Sequence, residues 1–307
     1  MLREVDRPNT TRSVIVDKIL RSSDGSSAKL IQIIKREGIA TIESGRYEVG
    51  CESIFCLSTQ IGCGMGCQFC RSTEPYEFYP GKPQRILRNL STQEIVDQAF
   101  NTFDDVPPPQ ESAGIVFSYM GMGEPFANLR AVKDSIRQLG AKYPKSRVTL
   151  STIAFNTVGI RELADEVASG MYPTPVKLHV SLHSPSDEQR QQLIPYASSI
   201  SETLDGAEYY AKTTNTVVKL NYVLVAGFNN DKADAEKLGA LLEKRRGLVL
   251  KISDLNSNDN KSVVQPEEAD RFESWLKELK VETCRFSGRG KDINAGCGEL
   301  VKGKRNL

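Results

Sequence analysis

Six apolar runs of strand length, at 53–60, 114–121, 147–153, 177–183, 217–225 and 248–255, recur with helix-like segments between them. Such alternation is the signature of βα units around a parallel sheet and admits few other architectures. The fourth run shows how the sheet must be oriented: Leu178, Val180 and Leu182 fall on one side, Lys177, His179, Ser181 and His183 on the other. One face is apolar and the other polar, as in a barrel wall that packs on helices outside and lines a polar cavity inside. Ser91 and Glu94 form a capping box ahead of Ile95, Val96, Ala99 and Phe100, and further helices are predicted at about 231–246 and 266–280. The expected fold is α/β, an open six-unit (β/α)6 partial TIM barrel with a parallel sheet. A turn-like cluster from Ser22 to Ser27 precedes a predicted hairpin at 30–42. Residues 1–50 are therefore read as a short N-terminal extension and 51–307 as the core, with loops at 72–90 and 107–109.

Directly after the first run, GCGMGCQFC sets Cys63, Cys67 and Cys70 on one loop with CxxxCxxC spacing. Three thiolates so placed suit three irons of a four-iron cluster and leave the fourth open to a small molecule, which turns an electron carrier into a catalyst. Gly62, Gly64 and Gly66 let the backbone curl tightly around an inorganic core. The alternatives are a zinc site or scattered buried cysteines. Zinc usually takes four ligands in two pairs, however, and no second CxxC follows.

Composition narrows the setting. With 39% apolar content in 307 residues, the chain suffices for one large domain or two small ones, and one is the simpler reading. The 40 basic against 39 acidic residues give no reason to expect tight nonspecific nucleic-acid binding, so any basic groove is local. No apolar stretch approaches a membrane span and the start lacks the apolar core of a secretory signal, which predicts a cytoplasmic protein with no membrane partner. Seven cysteines, five of them between Cys51 and Cys70, fit a reducing compartment better than a secreted disulfide framework.

MGMGEP, at 120–125, closes the second run with a glycine-rich turn. Parallel strands present binding residues at such turns, although an ordinary turn after a buried strand reads the same way. Glu124 there suits a ligand amino group. Cys56 and Cys297, the latter in AGCGEL, lie outside any metal spacing; each is either an inert core thiol or a reactive one. The small neighbours Ala295, Gly296 and Gly298 leave Cys297 accessible and favour a reactive role. Cys51 and Cys284 lack such context and are read as structural, while His179 and His183 are read as lining a ligand cavity.

FCLSTQIGCGMGCQFC, RNLSTQEIV, MGMGEP, RVTLST, VSLHSPSDEQR, the FNND after NYVLVAG and GRGKDINAGCGEL stand in the order found in one family. From about Leu30 onward the chain resembles the radical SAM superfamily and, within it, the RlmN/Cfr family of methylcysteine-dependent RNA adenosine methyltransferases. The resemblance implies that Cys63, Cys67 and Cys70 hold a [4Fe-4S] cluster and that S-adenosylmethionine chelates its open iron. By the same resemblance Gly123, Glu124, Ser151, Ser181, His183 and Asn256 contact S-adenosylmethionine.

The family chemistry is a methyl relay, because an aromatic carbon such as C2 or C8 of adenine is not nucleophilic and simple displacement on a sulfonium methyl fails there. The resemblance implies that Cys297 takes a methyl group from one S-adenosylmethionine and that a second is cleaved to a radical that abstracts hydrogen from that methyl. The resulting carbon radical adds to substrate. Glu43, thirteen residues before Cys56, matches the family's proton acceptor; Cys56 then captures the Cys297 sulfur in a disulfide bond, releasing product, and a reductant restores both thiols. The implied partners are rRNA or tRNA and a flavodoxin- or ferredoxin-type electron donor, with a small molecule or peptide as the alternative substrate. RNA-modifying members carry a larger helical extension than the fewer than about 30 residues preceding the hairpin here. The 72–90 loop is longer than the link between cluster motif and RNL that the resemblance implies, and its Tyr76, Phe78, Tyr79, Lys82 and Arg85 would either stack and neutralise a nucleotide or cover a small substrate.

Overall fold

The apolar runs form strands whose two faces do different work. The computed structural model describes residues 11–36, 40–74, 85–255 and 264–296. Its first strands are β1 (Val14–Arg21), β2 (Ser27–Ile34), β3 (Thr41–Val49), β4 (Glu52–Cys56), β5 (Gln60–Gly62) and β6 (Ile86–Asn89). They are followed by β7 (Gly114–Tyr119), β8 (Arg147–Thr152), β9 (Val176–Ser181), β10 (Val218–Leu224), β11 (Leu248–Asp254) and β12 (Thr283–Phe286). The helices are α1 (Thr92–Asp105), α2 (Leu129–Lys142), α3 (Thr157–Ala168), α4 (Asp187–Leu193), α5 (Ile200–Thr214), α6 (Lys232–Leu242) and α7 (Pro266–Glu278).

Among the described residues one open sheet runs β1-β2-β3-β4-β7-β8-β9-β10-β11-β12, and β5 pairs with β6 separately. From β4 to β12 every neighbouring pair in the large sheet is parallel, with helices in the connections, as the alternation requires. Leu150 pairs with Leu178, Leu220 with Leu250 and Tyr222 with Ile252; all are fully or almost fully buried in the core shared with Ile136, Ile160, Leu204 and Phe272 of the helices. The opposite face carries Ser151 paired with His179, and Asn221 paired with both Ser181 and Lys251. A polar inner wall thus faces a cavity while its apolar back packs on helices.

Four details differ from expectation. The run 53–60 is not one strand: it leaves the sheet after Cys56 because Gln98 of α1 takes over the pairing, accepting from Ser58 N–H at 3.0 Å and donating to Ser58 C=O at 3.0 Å. The end of the expected 72–90 loop is strand β6, which returns antiparallel beside β5. Strand β1 precedes the expected hairpin, so β1–β3 form an antiparallel meander that continues the main sheet through the β3–β4 pair. Cys51 is exposed in the turn between β3 and β4 and is no core thiol, while Cys284 is part-buried on β12 opposite Lys251. The capping box at Ser91 and Glu94 forms as expected. No described helix is long and apolar enough to cross a membrane.

Candidate active site

Two adjoining cavities occupy the polar side of the sheet. The larger, about 180 Å³, lies against the loop after β5, and Cys63, Cys67 and Cys70 all line it. Gly62 and Gly66, with φ of 83° and 65°, adopt the left-handed conformation that turns the loop around the thiols. The loop is tied in place from several directions: Cys63 N–H donates to Arg85 C=O at 2.9 Å, and Gln68 N–H to Leu193 C=O at 2.9 Å. The Thr73 hydroxyl donates to the Cys70 carbonyl at 2.8 Å.

Burial, then the neighbouring Cys70, Cys63 and Glu124, push the Cys67 thiol well above its ordinary range. Three thiolates facing one cavity therefore need a positive core to be stable, as iron–sulfur ligation supplies. Among the described residues no three His, Cys, Asp or Glu side chains close on a single point as ligands of one ion would. A four-iron core asks for a different layout, in which each thiolate takes its own iron around one wall, and the three cysteines fit it.

Across the cavity are the ends of β7, β8 and β9. Gly123 has φ 102°, and a Cβ there would lie 2.7 Å from the side chains of Thr59 and Gln60, so only glycine lets the turn pass. The turn delivers Glu124, which is fully buried and accepts hydrogen bonds from Phe126 N–H and Ile153 N–H, each at 3.0 Å. Burial raises its carboxyl to about 7 against the pull of those N–H groups. Ser151 Oγ is buried on the same cavity without a hydrogen-bond partner among the described residues, an uncompensated polar atom that a ligand would satisfy. Ser181 and His183 complete this wall. Their strand ends are fixed by buried Arg190, which donates to the carbonyls of Ser181 at 2.9 Å, Leu182 at 3.1 Å and Ile153 at 3.2 Å.

The smaller cavity, about 110 Å³, is lined by Cys56, Tyr47, Ser118, His179 and Gly296. Met120, Lys251, Phe286 and Gly288 line both cavities and form their common wall. Cys56 is opposite Gly45 in the β3–β4 register, and Glu43 is two residues from Gly45, so both side chains leave the sheet on the same face. Glu43 is buried, 3.2 Å from Lys29 Nζ. Cys63, Cys67, Cys70, Gly123, Glu124, Ser151, Ser181 and His183 thus share the first cavity, and Cys56 lines the second. Asn256 and Cys297, with Tyr76, Phe78, Tyr79 and Lys82, lie outside the described residues. No disulfide joins any two of the described cysteines, and the expected Cys56–Cys297 bond involves a residue outside them. Lys29, Tyr47, Arg190 and Lys251 were not singled out by the sequence, although Lys251 follows the inward alternation of β11.

Residues 57–238 match the family described as the radical SAM superfamily. The chain is 32% identical to a probable dual-specificity RNA methyltransferase RlmN of Alkaliphilus oremlandii, covering 96% of this chain and 81% of that protein. It is 33% identical to the protein of the same name in Clostridium perfringens, covering 93% and 78%. The chain belongs to the radical SAM superfamily and, within it, to the RlmN methyltransferases. A radical SAM methyltransferase from Sphaerobacter thermophilus superposes with a TM-score of 0.80 at 29% identity, over 94% of this chain and 81% of that one. Spore photoproduct lyase shares the fold, with a TM-score of 0.51 at 15% identity over 76% of each chain. As a radical SAM methyltransferase of the RlmN type, the enzyme uses a [4Fe-4S] cluster and two S-adenosylmethionine molecules per turnover.

Proposed function

We propose that this enzyme methylates an sp2 carbon, C2 or C8, of adenosine in rRNA or tRNA through a methyl group carried on Cys297. The observation that carries the reading is the common wall: the cavity of the three cysteines adjoins the cavity of Cys56, and Gly296, the residue before Cys297, lines the latter. The RNA substrate rests on the relatives' names.

Cys63, Cys67 and Cys70 would hold the cluster, which with S-adenosylmethionine supplies reducing electrons, methyl groups and radical chemistry. Glu124 receives the ammonium of S-adenosylmethionine on the oxygen lone pairs that its two backbone donors leave over. Ser151 and Ser181 offer hydroxyls, and neutral His183 offers an N–H. Asn256 is assigned to the same ligand by family motif. Cys297 carries the methyl carbon to the base. Glu43 takes the proton from the attacked carbon, and Lys29 beside it balances the charge of the waiting carboxylate. The Cys56 sulfur then bonds to that of Cys297 as the carbon–sulfur link to the product breaks; the product carbon keeps that electron pair and takes the Cys56 proton, the odd electron of the adduct passes back to the electron donor, and a reductant reopens the disulfide left behind. A flavodoxin- or ferredoxin-type protein is the class of electron donor this chemistry needs, and the cytoplasm is the compartment that keeps these thiols reduced.

The test is mass analysis of rRNA and tRNA from cells with and without the gene, together with peptide mass spectrometry of Cys297 after anaerobic incubation with S-adenosylmethionine. Loss of a methyladenosine in the deletion strain and a methyl increment on the Cys297 peptide are expected. Unchanged RNA together with an unmodified Cys297 would overturn the reading.

A further inference from the structure

The segment immediately before Cys297 is gripped by its backbone. Lys29 of β2, a residue only 4% exposed, places its Nζ 3.2 Å from Glu43 Oε2 and donates to the Asn294 carbonyl at 2.8 Å. Tyr47 of β3 donates its hydroxyl to the next carbonyl, that of Ala295, at 2.7 Å. One turn earlier, Ser23 N–H donates to Asp292 at 2.8 Å. The segment also closes on itself, with Ala295 N–H donating to Gly290 C=O at 3.0 Å.

Two features make this more than incidental packing. Consecutive carbonyls of a chain point in different directions, so donors on both fix the rotation of the peptide unit between them as well as its position. The meander is also shaped for the grip: a Cβ at Gly45 would lie 2.8 Å from the Tyr47 hydroxyl and ring, so Tyr47 reaches Ala295 by folding back over a glycine. Gly45 is the register partner of Cys56. The same lysine therefore touches the carboxylate assigned as proton acceptor and the strap that leads to the methyl carrier, while Tyr47 lines the Cys56 cavity.

We infer that Lys29 and Tyr47 are positioning residues, a two-point latch that fixes the main chain at 294–295 on the β1–β3 meander and so sets the reach of Cys297 towards Cys56 and Glu43. The inference rests on the proposed roles of Cys297, Cys56 and Glu43. It gives the N-terminal meander a function in the relay: it is the platform on which the C-terminal strap is indexed.

The test uses the anaerobically loaded full-length enzyme and the variants Tyr47→Phe, Lys29→Gln and Lys29→Arg. Hydrogen exchange of the amides at 290–296 reads the latch directly, and the equilibrium of the Cys56–Cys297 disulfide in glutathione buffers reads the reach. One lost hydrogen bond should speed exchange in this segment about tenfold and lower the disulfide equilibrium constant by a similar factor in Tyr47→Phe, with a larger change in Lys29→Gln. Lys29→Arg, which keeps a cation on a long stem, should recover most of both. Tyr47→Phe removes one oxygen and leaves the Lys29–Glu43 pair in place, so it reports even if Lys29→Gln does not fold. Exchange within twofold of wild type in Tyr47→Phe overturns the latch. Faster exchange with no Cys56–Cys297 disulfide in any form, wild type included, upholds the anchoring but overturns its link to reach, and counts against the methyl relay instead.

Discussion

Nδ1 of His183 accepts a hydrogen bond from the backbone N–H of Val223 at 3.1 Å, so the ring crosses from the end of β9 to β10 with that nitrogen unprotonated. Its tautomer is therefore the neutral Nε2–H form, which suits a donor to a ligand and not a base. Burial first, and then the Arg190 charge, hold its pKa down to about 3. The folded state thus disfavours the proton that the unfolded chain binds below about 6.5. The stability gained is complete above that value and is lost as pH falls towards 3. His183 also has φ 57°, a left-handed conformation that asparagine tolerates better than most residues.

His183→Asn should accordingly keep the backbone, while its shorter side chain no longer places an N–H where Nε2 stood. Its expected effect is a weakening of S-adenosylmethionine binding by about tenfold, the worth of one hydrogen bond, measured by anaerobic equilibrium dialysis. Nitrogen NMR of the wild-type ring should show the same neutral tautomer throughout the neutral range. A ring titrating near its ordinary value would contradict this account.

Glu124 behaves in the opposite sense. Its folded pKa of about 7 lies above the ordinary 4.5, with burial as the cause, so the ligand-free protein is stabilised by this group below 4.5 and loses that contribution as pH rises through 7. An ammonium ligand needs the carboxylate, and binding at mildly acid pH should therefore expel a proton from Glu124. Calorimetry of S-adenosylmethionine binding in two buffers of different ionisation enthalpy should show release approaching one proton near pH 6 and almost none by about pH 8.5. A binding heat that does not depend on buffer near pH 6 would remove Glu124 from the role of ammonium acceptor.

Cys67 separates a cluster ligand from a bystander thiol. It is buried on the first cavity beside Cys63 and Cys70, whereas Cys284 is part-buried on the edge strand β12. Cys67→Ala should abolish iron retention and the brown colour of the anaerobically reconstituted protein, and Cys284→Ala should leave both unchanged. Because loading must deprotonate the Cys67 thiol that burial holds protonated, reconstitution should also fall off steeply as pH is lowered. Full iron content in Cys67→Ala would place the cluster elsewhere.

The sequence showed most of this scaffold because periodicity and chemistry agreed. The alternation of Leu178 and Val180 with His179 and Ser181 was enough to orient β9, and the cysteine spacing named the wall that the strand faces. What stayed hidden depends on partners distant in the chain. The break after Cys56 requires Gln98, forty residues away, to imitate a strand. Strand β12 is only four residues long, with Arg285 paired to Asp270, so its polar pattern reads as loop. Strand β1 has Asp17 and Lys18 in its middle and, among the described residues, pairs only with β2. Lys29 and Arg190 look like solvated charges in sequence, and only packing shows each buried among the carbonyls it serves.

The turn that carries Glu124 gives the last prediction. At Gly121 a Cβ would lie 2.6 Å from the backbone of Leu57 and Ser58, and Gly121 N–H already donates to Leu57 C=O at 3.0 Å. No side chain can rotate away, so Gly121→Ala must push the turn off the segment between β4 and β5 and carry Glu124 with it. The expected cost is about 2 kcal/mol or more, as for other overpacked sites. Gly25→Ala is the contrast: φ is 70° but nothing lies within 4 Å of the new methyl, so only the left-handed backbone is strained, at about 1 kcal/mol. Thermal melts should therefore show the larger drop for Gly121→Ala, and only that variant should also lose affinity for S-adenosylmethionine. Equal melting points with unchanged binding would mean that the contact between this turn and Leu57 does not govern the site.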